Sequence, residues 1–566
     1  GPTARAWLRT SGTQGAIRLA HALTIQGHPV LGNTVLAMAR PTNGARLPRA
    51  LAELRLRVVA AASDDAAVVA AAHAALNGTH KRTYYAPMAR AAAVGRQVDR
   101  LVAWGRPAAA QKLLLSMPPW MRGKAPVGLR GDAQLERPTS IFRAIRSFSP
   151  SGLAWLRQAQ PGSLPVTDGA AAVRLALAAG DLPLARAWAR ASAALHDAPW
   201  QIWARAARDA LAHDERTIAR EFLISAAAVQ GPVGALACIR LQLGDAAALA
   251  QCRGGRPLAG LADWQLVALA AGLSQMQNDD TRQALATELG GQSDSTRLRW
   301  LAALAAAQQH AAVAPRARIR AMAAALIVAT PDGEARRYLV NVGLDDLALL
   351  GAASAGIAEA QRAFNAQPEG RSRRNNLGYA RLLAGASPAA VLAFVGPEFV
   401  GQRGESAHAL LDTVATALGR LGRLQDATRV QRWSLTAAAH NSETSQLPLV
   451  RHAAFLADAG RFAEARVVAL GALRRAHDRA ARSEPRGDGT RSSTHARHLA
   501  IHWQALAVLR RSLRALAPPT DSRAVAPTRP VSSDPAPTVP TRAKPALRNP
   551  ASAPPSAATP APALRP

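Results

Sequence analysis

A glycine-centred pattern recurs three times between residues 375 and 476, and it constrains the fold more than any other feature of the chain. The glycines are Gly385, Gly422 and Gly460, and an alanine follows each of them by five residues, at Ala390, Ala427 and Ala465. Successive glycines are 37 and 38 residues apart. That spacing is typical of a helix, a tight turn and a second helix, so the pattern predicts stacked helix pairs, an α-solenoid.

The residues around each glycine predict how a helix pair is built. In Asn375–Leu383 the apolar residues recur at steps of three and four, which places them on one face of a helix. Gly385 adopts φ > 0 without a steric penalty and so ends that helix. We expect the following alanine to be buried, because a small side chain lets two helices approach closely, and we expect Phe394 to fill the space toward the next pair.

These residues resemble the tetratricopeptide repeat family. Leu377-Gly378 is similar to the family's first-helix pair, Gly422-Arg423-Leu424 and Gly460-Arg461-Phe462 to its turn, and Ala390 with Phe394 to its second-helix packing pair. The resemblance covers about a hundred residues and departs from the family period of about 34. It implies a right-handed superhelical α-solenoid that binds a peptide or protein in its concave groove.

Weaker copies of the turn occur upstream, at Gly105, Gly180, Gly244 and Gly343. The first three are separated by 75 and 64 residues, about two periods each, so we expect intervening turns that lack glycine. Aromatic residues are only 4% of the chain, and alternating β-type patterns are scarce, which favours an all-α fold. The alternative is an irregular helical bundle with glycines between its helices.

Composition divides the chain into five regions. We predict an Ala-rich helical region (1–117), a basic Pro- and Gly-rich insertion or linker (118–165), helical repeats (166–483), a polar break with a capping helix (484–516) and a disordered Pro- and Ala-rich tail (517–566).

The chain is strongly basic, with 69 Lys and Arg against 37 Asp and Glu, a net charge of +32. Only four of the basic residues are lysines. Such a charge favours acidic proteins, phosphate polymers or an anionic envelope surface as partners, although a genome that encodes Arg in place of Lys would also raise the arginine content. We expect the densest part of a binding surface in the insertion, at Arg122, Lys124, Arg130, Arg143 and Arg146.

We find no phosphate loop, no nucleophile elbow and no zinc motif, so we predict a scaffold that is not an enzyme and has no cofactor. His495, His498 and His502 share a helix face, but a solvated histidine face is the favoured interpretation over a metal site. The main alternative is a helical-repeat protein that binds nucleic acid. An enzyme with an unrecognised site in residues 118–165 is a second alternative.

Cys238 and Cys252 lie on either side of Gly244 and could form a disulfide, but we favour two buried thiols. No apolar run reaches the ~20 residues that a membrane-spanning helix needs. We expect a bacterial protein of the cytoplasm, the periplasm or the envelope, where peripheral association would suit its charge.

Overall fold

A computed structural model describes residues 2–26, 28–38, 48–77, 86–117, 138–276, 279–308, 313–329, 344, 347–399, 407–438, 446–482 and 494–516. Helices joined by turns make up this part of the chain, and no strand occurs among these residues. The predicted all-α class is therefore confirmed. The chain divides into two units, Gly1–Pro518 and Pro519–Pro566. The second unit, which holds most of the predicted disordered tail, lies outside the described residues.

The N-terminal helices precede the predicted repeat region. They are α1 (Pro2–Ile25), α2 (Pro29–Met38), α3 (Arg49–Ala62), α4 (Asp65–Asn77), α5 (Ala86–Ala103), α6 (Pro107–Leu115), α7 (Pro138–Arg146) and α8 (Pro150–Gln158).

The middle helices follow without a change of class. They are α9 (Val166–Ala179), α10 (Leu182–Ala194), α11 (Pro199–Ala212), α12 (Arg216–Ala228), α13 (Val233–Gln242), α14 (Ala248–Arg253), α15 (Asp263–Gln275), α16 (Asp279–Gly290), α17 (Asp294–Gln308) and α18 (Val313–Ala329).

The C-terminal helices contain the three repeats of highest regularity. They are α19 (Ala353–Ala366), α20 (Arg371–Leu383), α21 (Pro388–Phe399), α22 (Ala407–Arg420), α23 (Leu424–Ala438), α24 (Gln446–Asp458), α25 (Phe462–Arg482) and α26 (Thr494–Leu516).

The three repeat glycines form one kind of turn. Gly385, Gly422 and Gly460 have φ values of 93°, 75° and 73°. In each turn the glycine N–H donates to the carbonyl three residues earlier, and the next N–H donates to the carbonyl five residues before it. This is the Schellman arrangement, in which a left-handed residue satisfies the last carbonyls of a helix. We call the helix before a repeat turn the first helix of a pair and the helix after it the second; a turn of the same type at Gln230 joins one pair, α11 and α12, to the next, α13 and α14.

The same turn recurs upstream, with and without glycine. Gly105, Gly180 and Gly244 have positive φ and the same two hydrogen bonds, as predicted, whereas Gly343 lies outside the described residues. The expected intervening turns are centred on Phe148 (φ 51°) and Asp214 (φ 59°), which make the same pair of hydrogen bonds. The helix-pair plan therefore continues through the middle of the chain, and the all-α solenoid is the architecture of the molecule.

One of the three predicted repeat alanines is misplaced. Ala427 and Ala465 are fully buried, but Ala390 is exposed, so the prediction for that residue is wrong. The turn after Gly385 is one residue longer, because α21 begins three residues after its glycine while α23 and α25 begin two residues after theirs. Val391 takes the equivalent position and is buried.

The predicted residue pair Leu377-Gly378 lies where α20 packs against α21. Leu377 is fully buried. A Cβ atom on Gly378 would lie 2.5 Å from Cγ1 of Val395, so only glycine allows the two helices to come this close. Phe394 is half-buried and packs edge-on against Phe364, with ring centroids 5.9 Å apart.

The second part of the predicted insertion is regular structure. Residues 138–158 form α7 and α8, which pack against α9 and contribute Ile145 and Leu153 to the same apolar core. Two prolines of the predicted insertion, Pro138 and Pro150, each begin a helix. Proline suits that position because its missing N–H would be unpaired there in any case.

The C-terminal helices pack against helices from the N-terminal and middle parts of the chain. α23 packs against α1 and α3, and α25 packs against α5 and α6. α26 forms the predicted C-terminal helix, but it also lies against α9, α15 and α17, so it joins the end of the chain to its middle. Val467 and Leu513 belong to apolar cores formed mainly by helices more than 200 residues earlier in the chain.

Arginine side chains satisfy the carbonyl ends of these helices. In the described part of the chain, ten arginines donate to a carbonyl in the last turn of a helix or in the residue just after it. They are Arg57, Arg106, Arg220, Arg282, Arg297, Arg318, Arg373, Arg420, Arg466 and Arg510. The last carbonyls of a helix have no partner within it and carry its negative dipole end, so a guanidinium is a favourable neighbour.

Three of these arginines join distant parts of the chain. Arg57 of α3 donates to the Thr436 carbonyl of α23 at 2.6 and 3.0 Å, and Arg466 of α25 donates to the Ser147 carbonyl after α7 at 2.9 Å. Arg510 of α26 donates to the carbonyl of His213 after α11. Each bond crosses about 300 residues or more of sequence.

A buried histidine makes a fourth hydrogen bond to a backbone carbonyl that is distant in sequence. Nε2 of His452 on α24 lies 3.2 Å from the carbonyl oxygen of Gly105, in the turn between α5 and α6, and the ring is fully buried. A carbonyl only accepts, so Nε2 carries the proton. Burial lowers the pKa of His452 to about 3, and the nearby positive charges of Arg432, Arg461 and Arg106 add to this effect.

The two cysteines are bonded to each other. Cys238 of α13 and Cys252 of α14 form a disulfide with Cα atoms 4.7 Å apart, and both are buried. Our favoured interpretation as two thiols is therefore wrong. α14 has only six residues, and the bridge fixes this short second helix on its partner.

Replacing Ala427 with Arg should lower the free energy of unfolding by about 3 kcal/mol or more, because overpacking and an unpaired buried charge both act there. Ala390→Arg is the matched control at an exposed repeat position and should change it by less than about 0.5 kcal/mol. Thermal unfolding of both variants measures the difference. Equal melting temperatures would contradict the assigned repeat register.

Burial of neutral His452 should make the fold less stable in acid. The folded-state pKa of about 3 is below the unfolded value of 6.5. The neutral ring therefore stabilises the fold fully above pH 6.5, and this stability is lost as the pH falls from 6.5 toward 3, by about 1.4 kcal/mol per pH unit. His452→Gln keeps a donor for the carbonyl but does not titrate. Its melting temperature should fall less than that of the native protein between pH 6.5 and 5, and parallel curves would refute the assignment.

Candidate functional site

The predicted basic surface is only partly within the described residues. Arg122, Lys124 and Arg130 lie outside them, and Arg143 lies on α7 with a side chain that is not described. Arg146, at the end of α7, has a side chain that is 55% exposed. Its guanidinium forms an ion pair with Asp168 of α9, with Nε 2.8 Å from Oδ1.

Arg146 is part of a larger basic cluster on three first helices. α9 packs against both α7 and α11, so the three helices lie side by side. Asp209 of α11 is the second carboxylate of the cluster. Arg174 of α9 lies next to it, and the distance from Nε of Arg174 to Oδ2 of Asp209 is 3.7 Å. Two further arginines, Arg205 and Arg208, are exposed on α11. We call Arg146, Arg174, Arg205 and Arg208, with Asp168 and Asp209, the arginine face.

The arginine face has more positive than negative charge. The pKa of Arg174 is lowered mainly by burial. The attraction of Asp209 raises this pKa, and repulsion from Arg205 and Arg146 lowers it further. The side chain of Asp209 is 23% exposed. Loss of water nevertheless raises its pKa to about 6, against the opposing effect of three arginines. The face therefore carries four guanidinium groups and two carboxylates, and in the described part of the chain only Arg146 and Arg174 are paired with them.

Arg146 was predicted from the sequence, whereas Arg174, Arg205 and Arg208 were not. Arg205 and Arg208 are three residues apart, and with Gln201 they form one exposed stripe on α11. That helical spacing was visible in the sequence. Arg174 had no such signal, because only the packing of α9 between α7 and α11 brings it to the others.

A second polar cluster joins the first helices of the C-terminal repeats. Arg451 of α24 donates to the carboxylate of Asp412 on α22 and to the hydroxyl of Tyr379 on α20. Its guanidinium carbon is 5.0 Å from the centre of the Tyr379 ring. Nε2 of Gln431 donates to Asp412 at 2.8 Å. Asp412 and Arg451 are mostly buried, so this cluster fixes the spacing of the repeats and offers little surface to a ligand.

The tryptophans mostly serve the core. Trp188 and Trp300 are buried, and Trp155 packs against Trp188 with ring centroids 6.4 Å apart. Trp264, which is 46% exposed, is an exception among the described residues.

Neither a metal site nor a membrane-spanning helix is found among the described residues. Within the described ranges, no three residues of the His, Cys, Asp and Glu types are grouped as metal ligands. The side chains of His495, His498 and His502 lie outside the described residues. Among the helices that the structure describes, none combines the length and the apolar character needed to cross a bilayer.

Comparison with known proteins gives little further information. No family model and no curated protein matches the chain. Among solved structures, a circular tandem repeat protein with novel repeat topology and enhanced subunit contact surfaces is 13% identical. The alignment covers 84% of this chain and 90% of that protein, with a TM-score of 0.11. A TM-score this low carries no conclusion about fold or function.

Proposed function

We propose that this protein is an interaction scaffold of the tetratricopeptide-repeat type, which binds a peptide or protein partner on the face formed by its first helices. The observation that carries the proposal is the side-by-side packing of first helices from consecutive pairs. α7, α9 and α11 form one such row, and α20, α22 and α24 form another. Side chains from successive repeats therefore lie next to one another, which is how helical-repeat proteins build extended binding surfaces.

Three features support the family assignment within this proposal. The Schellman turn recurs at a spacing near that of the family, and Ala427 and Ala465 are buried at the predicted second-helix position. Gly378 permits the close approach of the first and second helices. Regular spacing of this kind positions contacts along an elongated partner better than it forms a single deep catalytic pocket.

Photo-crosslinking in lysate with the full-length protein tests this function. With four lysines in the chain, amine-directed crosslinkers would sample too few positions, so a photoreactive amino acid is placed at chosen residues. Gln201 is exposed on the first helix α11, and Arg190 is exposed on the second helix α10, which makes it a matched control.

We expect residue 201 to crosslink a protein that persists after nuclease treatment, and residue 190 to crosslink it several-fold less. Capture that disappears with nuclease would favour the nucleic-acid alternative. Equal crosslinking from both positions, or none from either, would contradict binding on the first-helix face.

A further inference from the structure

We infer that the arginine face binds a carboxylate-rich segment of a protein partner. This inference rests on the proposed scaffold function and names the chemistry of the partner at one part of the surface. It adds Arg174, Arg205 and Arg208 to the one predicted basic residue, Arg146, whose side chain the structure describes.

The spacing of the face suits an extended acidic segment. Its guanidinium groups come from three neighbouring helices, and packed helix axes are about 8–10 Å apart. A peptide in the extended polyproline II conformation has three residues per turn and rises about 3.1 Å per residue, so carboxylates at every third residue share one face about 9 Å apart and would meet successive helices. Arginine is well suited to them because its planar fork binds a carboxylate through two parallel hydrogen bonds.

The arginines of this face retain donors for a ligand. Arg205 and Arg208 are exposed, and no carboxylate lies within ion-pair distance of either in the described structure. Nε of Arg174 is buried without a hydrogen-bond partner, because its 3.7 Å separation from Asp209 is too long for a hydrogen bond. Added carboxylates would use the donors of Arg205 and Arg208 and would relieve the repulsion that Arg205 and Arg146 exert on Arg174.

The same face suits a nucleic acid less well. Asp168 and Asp209 lie between the arginines, and their charges would repel a continuous phosphate backbone. Binding of single strands also uses aromatic side chains on which bases stack. Trp203, on the same helix as Arg205, packs instead against Phe222 of α12, with ring centroids 5.6 Å apart.

Fluorescence anisotropy with the purified full-length chain tests this inference. The probes are a labelled twelve-residue peptide with Glu at every third position, the same peptide with Gln in place of Glu, and a single-stranded oligonucleotide of equal charge. Arg205→Gln with Arg208→Gln removes the exposed pair. Arg55→Gln with Arg190→Gln is the control, because both residues are exposed on other helices and the change in net charge is the same.

We expect the Glu peptide to bind at least tenfold more tightly than the Gln peptide, with an affinity that falls between 50 and 200 mM salt. The Arg205 and Arg208 variant should lose about tenfold in affinity and should show a shallower salt dependence, while the control pair should change affinity less than twofold. Melting temperatures of both variants check that the fold is kept.

Three results would overturn the inference. An equal loss in both double variants would indicate attraction by overall charge without a specific face. Tighter binding of the oligonucleotide that also depends on Arg205 and Arg208 would assign the face to nucleic acid. Failure of the Glu peptide to bind, while residue 201 still crosslinks a protein, would remove the acidic partner but leave the scaffold function standing.

Discussion

The interaction on which this structure depends is the hydrogen bond from an arginine to the carbonyl end of a neighbouring helix. An all-α chain with many short helices has a correspondingly large number of helix ends, and each end leaves carbonyls that its own helix cannot satisfy. Glycine turns satisfy some of them within the backbone. Arginine side chains satisfy others, and Arg466 does so while 1% exposed. A long side chain with several donors and a permanent charge suits this position, because it reaches across a helix pair and meets the negative end of the dipole.

These bonds also decide how the chain is arranged over long distances. The contacts from Arg57, Arg466 and Arg510 and the contact from His452 all join a C-terminal repeat to a helix or turn near the N-terminus or the middle of the chain. They account for part of the arginine content without reference to a ligand. Exposed arginines that donate to no helix end, such as Arg205 and Arg208, are then the ones that the proposed function assigns to a partner. The charge of this protein therefore has one use in the fold, and the proposed function gives it a second use on the surface.

Local features could be read from the sequence, and long-range ones could not. Gly385, Gly422 and Gly460 mark their turns because glycine is the residue best able to take φ > 0. Phe148 and Asp214 take the same conformation without that signal, so their positions could only be expected from spacing. Ala390 was misplaced because one added residue in a turn shifts the following helix by about 100°. The closure of the chain on itself, and with it the position of Arg174, depends on packing between residues that are distant in sequence.

The central claim is that arginine side chains hold the C-terminal helices against the earlier helices by donating to helix ends. The most direct test compares thermal unfolding of two triple variants with equal loss of charge. One changes Arg57, Arg466 and Arg510 to Met, and the other changes the exposed Arg55, Arg96 and Arg190 to Met. Each unsatisfied buried carbonyl should cost about 1–3 kcal/mol, so the first variant should melt well below the native protein and the second close to it. Equal melting temperatures for the two variants would contradict the account.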